Sequence, residues 1–139
     1  MKIYLFFIGK PKDPHANAIA RDFIDRAARF CPAEMREIQP ARFDPFARHP
    51  SARKLFLDPA GDPLTSADFA ILLAHAELEG RDLVFLVGGH DGLPQPWRAR
   101  ADRLISLSAL TFPHELARAV LAEQIYRAFC TLRNHPYVR

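Results

Sequence analysis

Two kinds of hydrophobic pattern alternate along this chain. Short continuous apolar runs are separated by longer segments in which apolar residues recur every three to four positions. The short runs predict buried strands, and the longer segments predict helices with one apolar face. Their order, β-α-β-loop-β-α-β-α-β-α, is typical of an α/β fold with a mostly parallel sheet and helices on both faces. We expect residues 1–139 to form one domain.

The predicted elements can be placed from this pattern and from local turn residues. A first strand lies within residues 1–9, and the later strands cover residues 35–39, 54–58, 83–87 and 103–107. Helices are predicted over residues 14–30, 66–80 and 97–101, and from residue 113 to about residue 132. Residues 40–53 contain three prolines and no regular period, so we expect an irregular linker there. Residues 59–63 have the composition of a tight turn that ends the third strand.

Three predicted turns should meet at one edge of the sheet. They cover residues 58–61, 88–92 and 106–113, and each follows a predicted strand. Ligands of parallel sheets bind beyond the carboxyl ends of the strands, so these turns can form one pocket. Their backbone amides suit adenine or carboxylate groups, and Leu57, Leu107 and Leu110 are candidates for an apolar wall.

The glycine-rich turn at residues 88–92 does not by itself identify a ligand. It lacks the lysine and hydroxyl of a phosphate-binding P-loop, and it is not the G-x-G-x-x-G of dinucleotide folds. A purely structural turn therefore remains an alternative at this point. No G-x-S-x-G motif favours a hydrolase.

Composition narrows the class of protein further. The net charge of +3 is compatible with a nucleic-acid partner. Cys31 and Cys130 are too few for a structural zinc site, and the six histidines include no H-x-x-x-H pair, so we expect no metal. No apolar run approaches the roughly 18 residues of a membrane-spanning helix, and we expect a cytoplasmic protein with both cysteines reduced and buried.

The last predicted helix is the longest periodic segment. Pro113 suits its first turn, and Glu115 complements the positive end of the helix dipole. Glu123 and Arg127 are spaced to form an ion pair one turn apart. An apolar stripe, which predicts either a core face or a subunit contact, is formed by Leu121, Ile125, Phe129 and Leu132.

Four sequence motifs in the last 60 residues or so resemble a known family. They are LVGGHDGL at residues 86–93, LSALTFPH at 107–114, LAEQIYRA at 121–128 and NHPY at 134–137. Together they resemble the RlmH (YbeA-like) family of SPOUT methyltransferases. The first strand and helix, with Phe56, Leu57, Asp58 and Gly61, fit the same family more loosely.

The resemblance implies a fold, a cofactor and a substrate. The implied fold is α/β with a C-terminal trefoil knot, and the implied assembly is a homodimer. The implied activity is methylation of N3 of a pseudouridine in large-subunit ribosomal RNA, with S-adenosylmethionine as the cofactor. The residues implied to bind that cofactor are Leu57, Gly88, Leu107, Ser108, Ala109, Leu110, Thr111 and Phe112.

Matching the motifs also gives candidates for the chemical step: Arg127, His135, Tyr137 and Arg139. Methyl transfer requires the attacking nitrogen to be positioned, partly deprotonated and shielded from water. An arginine cannot act as a base at neutral pH, but its charge can stabilise an anionic ring nitrogen or hold a phosphate. Tyr137 can also stack on a base.

Two departures from the family pattern leave alternatives open. Val138 stands where the family tail usually has a second histidine, and the segment between Ile38 and Lys54 lacks a helix that the family ordinarily has. One alternative is therefore a non-catalytic ribosome-binding or RNA-binding module with the same knotted fold. Another is a methyltransferase that acts on a different RNA.

Overall fold

The computed structural model describes residues 1–138, and the predicted site residue Arg139 lies outside the described residues. The strands are β1 (Ile3–Ile8), β2 (Ala33–Ile38), β3 (Arg53–Pro63), β4 (Leu83–Val87) and β5 (Arg103–Ser106). The helices are α1 (Pro14–Ala27), α2 (Pro45–Arg48), α3 (Ser66–Glu79), α4 (Gln95–Arg100) and α5 (His114–Leu132). A short 3-10 turn, Pro136–Val138, follows α5.

The strands form one parallel sheet in the order β2-β1-β4-β3-β5. The predicted α/β class is confirmed. The central strand, β4, has all five of its residues buried, as its continuous apolar run predicted. The parallel pairing brings the carboxyl ends of the strands to one edge, where residues 57–59 of β3 meet the segments after β4 and β5.

The two faces of the sheet are covered unequally. Helices α1, α3 and α5 bury the larger core against one face, and α2 and α4 cover a smaller cluster on the other. The predicted stripe of α5 lies in the larger core, where Leu121, Ile125 and Phe129 are fully buried and Leu132 is partly buried. The core interpretation of that stripe is therefore confirmed.

The prediction of an irregular linker over residues 40–53 is wrong in part. The segment contains α2, which begins where the Asp44 carboxylate accepts a hydrogen bond from the Phe46 amide at 2.8 Å. Pro45 fits the first helical position because its missing N–H has no partner there in any helix. A four-residue helix is too short to show a period, so the sequence pattern did not reveal it.

The predicted turn over residues 59–63 lies inside β3 and does not end the strand. Leu57 and Asp62 both pair with Ile105, so residues 58–61 form an excursion from the sheet. The Asp58 carboxylate accepts a hydrogen bond from the Ala60 amide at 2.8 Å within this excursion. Gly61 is required because a Cβ there would lie 2.6 Å from the Ile105 backbone nitrogen. The sequence analysis predicted the turn, but it did not predict that the chain pairs with β5 again after the turn.

Several predicted helix ends shift by a few residues. Helix α1 ends at Ala27 and not at residue 30, and α5 begins at His114 with Pro113 as its N-cap. The cap of α3 is Thr65, whose hydroxyl accepts from the Asp68 amide while the Asp68 carboxylate accepts from the Thr65 amide. This reciprocal pair explains why the helix begins one residue after Thr65.

Candidate active site

One cleft of about 270 Å³ is enclosed by residues 57–59 of β3 and by the segments after β4 and β5. This volume is near the lower end of the range of roughly 300–1,000 Å³ that small-molecule sites occupy. All eight positions predicted to bind the cofactor line the cleft: Leu57, Gly88, Leu107, Ser108, Ala109, Leu110, Thr111 and Phe112. The structure thus brings these predicted residues together, as expected from the three turns at one edge of the sheet.

The glycine turn after β4 folds back tightly on itself. The Gly92 amide donates to the Gly89 carbonyl at 3.0 Å, and Gly92 has a positive φ of 76°. A Cβ on Gly88 would lie 2.6 Å from the Gly92 carbonyl carbon. Only glycine at residue 88 permits this closure, so the backbone itself forms the wall of the cleft.

The segment after β5 is held by hydroxyl groups of its own residues. The Ser106 hydroxyl donates to the Ser108 carbonyl at 3.0 Å, and the Ser108 hydroxyl accepts from the Leu110 amide at 2.9 Å. Leu110 itself is 74% exposed and lies at the cleft. The serines therefore shape the loop, and Leu110 offers an apolar surface to a ligand.

Asp58 is a residue of the cleft that sequence analysis did not select as a site residue. Its carboxylate accepts from Arg98 Nε at 2.6 Å, and this hydrogen bond holds the pKa of Asp58 below its usual value. The pair ties the excursion in β3 to helix α4. No local signal reveals a partner 40 residues away, and His90 and His114, which also line the cleft, were likewise missed.

Glu115 fixes the start of α5 beside the cleft, which His114 and Ala117 line. Its carboxylate accepts hydrogen bonds from the Lys12 amide at 2.6 Å and the Asp13 amide at 3.2 Å. These bonds, that of Lys12 above all, lower the pKa of Glu115 to about 2. The predicted interaction with the helix dipole is thus accompanied by a direct link to the loop after β1.

Arg118 is a fully buried cation that the sequence analysis missed. Its two terminal nitrogens donate to the Asn17 side chain at 3.2 Å and to the Ile8 and Gly9 carbonyls at 3.3 and 3.4 Å. The guanidinium carbon lies 3.9 Å from the centre of the Phe7 ring, and Nε has no hydrogen-bond partner within residues 1–138. Burial lowers the pKa of this guanidinium.

The burial of Arg118 could have been predicted from its position in the sequence. It lies three residues before Leu121 and seven before Ile125, on the same helical face. A charge on an apolar stripe predicts a specific polar partner in the core. Those partners are at the end of β1, so Arg118 locks α5 to the strand edge beside the cleft.

The candidates for the chemical step lie together in a second region. Arg127 Nε donates to Glu123 at 2.7 Å, which confirms the predicted ion pair and raises the pKa of the arginine. The Arg127 guanidinium also lies 5.2 Å from the centre of the Tyr137 ring. Within residues 1–138, the residues that line the cleft do not include Arg127, His135 or Tyr137.

The tail after α5 turns back onto helix α1. Asn134 adopts a left-handed φ of 54°, and the His135 amide donates to the Cys130 carbonyl at 2.8 Å. The His135 ring then packs edge-on against Phe30, and its Nδ1 accepts from the Tyr137 amide at 3.2 Å. A neutral His135 in this arrangement carries its proton on Nε2, which therefore acts as a donor.

Other expectations can be compared with the described chain. Cys31 and Cys130 are free and buried, as expected. Over residues 1–138, no group of three or more His, Cys, Asp or Glu side chains is placed to hold a metal ion. Over the same residues, no helix is both long and apolar enough to cross a membrane.

The fold and the cleft define an α/β protein with a small-molecule site at the carboxyl edge of a parallel sheet. A family model described as "Predicted SPOUT methyltransferase" matches residues 1–137. The chain belongs to the SPOUT methyltransferase family, and the resemblance found from its motifs is confirmed.

Several relatives match the whole chain, and two of them illustrate the range of identity. It is 73% identical over 139 residues to "Ribosomal RNA large subunit methyltransferase H" of Solibacter usitatus, with all of both chains covered. It is 37% identical over 155 aligned positions to the protein of the same name from Thioalkalivibrio sulfidiphilus, with 100% of this chain and 99% of that protein covered.

Solved structures share the fold at low sequence identity. A probable methylase family protein from Haemophilus influenzae aligns with a TM-score of 0.67 and 9% identity, over 95% of this chain and 68% of that one. The SpoU methyltransferase AviRb from Streptomyces viridochromogenes, solved in complex with AdoMet, aligns with a TM-score of 0.55 and 16% identity. That alignment covers 92% of this chain and 58% of AviRb.

Proposed function

We propose that this protein transfers a methyl group from S-adenosylmethionine to N3 of a pseudouridine in large-subunit ribosomal RNA. The observation that carries the proposal is that all eight predicted cofactor positions line one cleft. The choice of RNA rests on the 73% identical relative, whose name states ribosomal RNA of the large subunit. The C-terminal trefoil knot and a cytoplasmic location remain predictions that accompany this function.

The residues of the cleft fit S-adenosylmethionine. Leu57, Leu107 and Leu110 supply apolar surface for an adenine ring, and the segments at residues 88–92 and 107–112 supply backbone polar groups. The absence of a side chain at Gly88 lets a ligand approach the turn closely. When bound, S-adenosylmethionine supplies an electrophilic methyl group on a sulfonium.

The chemical step requires the ring nitrogen to lose a proton and to be aligned with the methyl group. Arg127 stabilises the anionic nitrogen, because its guanidinium stays charged and Glu123 accepts hydrogen bonds from its Nε and not from its terminal nitrogens. His135 donates from Nε2 to the RNA, since its Nδ1 is already an acceptor. Tyr137 offers a ring for base stacking beside Arg127.

The separation of Arg127 from the cleft within one chain favours a homodimer in which the second copy supplies the tail. Ile19 of α1 and Leu116 of α5 are large apolar side chains that are 49% and 42% exposed. The first turns of these helices adjoin, because the Asn17 side chain donates to Glu115 at 3.0 Å. This apolar end of the α1 and α5 surface is the proposed contact between the copies.

The test is radiolabelled methyl transfer from S-adenosylmethionine to ribosomes that lack the modification, with the product nucleotide identified by mass. The proposal predicts label at N3 of a pseudouridine in the large-subunit RNA. Cofactor binding with label at another nucleotide would indicate a different RNA substrate. Ribosome binding without cofactor binding or label would indicate the non-catalytic RNA-binding alternative that Val138 raised.

A further inference from the structure

A group of arginines on the α2 and α4 face of the sheet is held by aromatic rings. The guanidinium carbons of Arg36 and Arg48 lie 4.7 and 5.3 Å from the centre of the Phe43 ring. Arg100, at the end of α4, lies 4.1 Å from the centre of the Phe46 ring. Phe43 is buried and all three arginines are exposed, so the rings form a floor that presents the cations to solvent.

These three arginines have no acidic partner. Within residues 1–138, Arg36, Arg48 and Arg100 form neither an ion pair nor a side-chain hydrogen bond. The carboxylates of this face are otherwise engaged, because Asp44 caps α2 and Asp102 accepts from the Lys54 amide at 2.7 Å. The charges of the three arginines are therefore not neutralised locally.

Lys54 does not belong to the same set. It is buried, and its ammonium donates to the carbonyls of His49 and Pro50. Burial lowers the pKa of Lys54. This lysine supports the segment between α2 and β3, whereas the three arginines have their donors free.

We propose that Arg36, Arg48 and Arg100, which we name the basic face, bind the phosphate backbone of the substrate RNA beside the cleft. The inference rests on the proposed function for the identity of the RNA. Helix α4 connects the two sites, because Arg98 binds Asp58 of the cleft and Arg100 follows two residues later. An RNA strand on the basic face is thereby led toward the cleft.

Phosphate is the ligand that this geometry suits. A guanidinium offers several donors in a plane, and stacking on a ring orients that plane before binding. Each phosphate contact releases counterions, so the affinity of such a face must fall as salt rises. A small net charge of +3 does not oppose such binding, because the affinity depends on the local charge of the three arginines.

The test is a triple variant, R36Q/R48Q/R100Q, assayed with unmodified ribosomes for methyl transfer and for binding at several salt concentrations. We expect the KM for ribosomes to rise about tenfold or more, and the slope of log affinity against log salt to fall by about two to three. The Kd for S-adenosylmethionine should stay unchanged. The thermal midpoint should fall only slightly, because the cation–π contacts that the variant loses are exposed and each contributes little to stability.

Two further variants serve as controls. R36K/R48K/R100K keeps the charge and should keep most of the salt slope. Arg133→Gln is the matched control, because Arg133 also lies over a ring, that of Phe129 at 6.0 Å, but is paired with Glu77. Its removal should leave the salt slope unchanged.

The outcomes separate this inference from the proposed function. Wild-type salt slope and KM in the triple glutamine variant would overturn the basic face and leave the methyltransferase assignment intact. The salt slope for ribosome binding could fall in the triple variant while the wild-type protein transfers no methyl group. That result would support the basic face and contradict the proposed function. An equal loss of salt slope in Arg133→Gln would show that the effect does not depend on where the arginine lies. That result would also overturn the inference.

Discussion

The cleft and the tail region differ in what they are made of. The cleft is built chiefly from backbone turns, glycines and leucines, which lie at residues 57–59 of β3 and in the segments after β4 and β5. The tail region consists of side chains that carry charge or rings, Arg127, His135 and Tyr137, arranged between α5 and α1. One region is suited to hold a cofactor, and the other is suited to contact a nucleic acid.

Helix α5 joins the two regions and contains an arginine for each. Arg118, near its start, is buried and bound to the end of β1. Arg127, more than two turns later, is half exposed and paired with Glu123. The same residue type thus has a structural role at the cleft, whereas the role proposed for it at the tail is chemical. Variants of the cleft should therefore lose cofactor affinity or stability, and variants of the tail should lose the rate of methyl transfer.

The largest expected effect is that of Gly88→Val. Its side chain cannot fit where a Cβ alone would lie 2.6 Å from the Gly92 carbonyl carbon. We expect the glycine turn to be displaced and the affinity for S-adenosylmethionine to fall by about a hundredfold or more. Titration calorimetry with the cofactor measures this directly.

The matched control is Gly80→Ala, at the end of α3. Gly80 also has a positive φ, 66°, but within residues 1–138 no atom beyond its own chain neighbours lies within 4 Å of an added Cβ. It should lose about 1 kcal/mol of stability with unchanged cofactor affinity. Equal loss of affinity in both glycine variants would contradict the assigned role of the turn.

Arg118→Met should lower the free energy of unfolding by about 3 kcal/mol. The change removes hydrogen bonds to the β1 carbonyls and leaves Glu115 without its buried cation. Urea denaturation monitored by circular dichroism gives the measurement. Arg127→Met, on the same helix, is the comparison and should cost less than about 1 kcal/mol because its ion pair is half exposed.

Arg127→Met should instead reduce the rate of methyl transfer, by about 10- to 100-fold. The physical reason is the loss of the charge proposed to stabilise the anionic nitrogen. Single-turnover assays with saturating cofactor and ribosomes measure the rate. An unchanged rate, or a parallel loss of cofactor affinity, would contradict the division of tasks between the two regions.

The smallest effect concerns acid stability. The pKa of Glu115 is about 2 in the folded protein against an ordinary value of 4.5. Because the folded pKa is lowered, its contribution is complete above about pH 4.5 and is lost as the pH falls toward 2. Thermal midpoints between pH 6 and 3 should therefore fall less steeply in Glu115→Gln than in the wild type.

Local patterns predicted most of the fold and the location of the cleft. Continuous apolar runs gave β4 and its neighbours, and the parallel order placed three turns at one edge. The turn at residues 59–63 was read as the end of a strand because its pairing with β5 depends on residues 43 positions away. Helix α2 was missed because four residues show no period.

Side-chain partners distant in sequence were the part that could not be predicted. Arg118 finds its acceptors about 110 residues earlier, and Asp58 finds Arg98 after 40. The Glu123 and Arg127 pair was predicted because helical spacing alone brings the two together. Arg139 lies outside the described residues, so its predicted role remains a prediction.

The central claim is that the cleft of one chain works with the tail of another. Its most direct test mixes two inactive variants, Gly88→Val and Arg127→Met, after joint refolding in equal amounts. If the tail acts across a dimer, half of the dimers are mixed and each has one intact site, so methyl transfer should return to about a quarter of the wild-type level. A mixture no more active than the two variants measured separately would contradict the account.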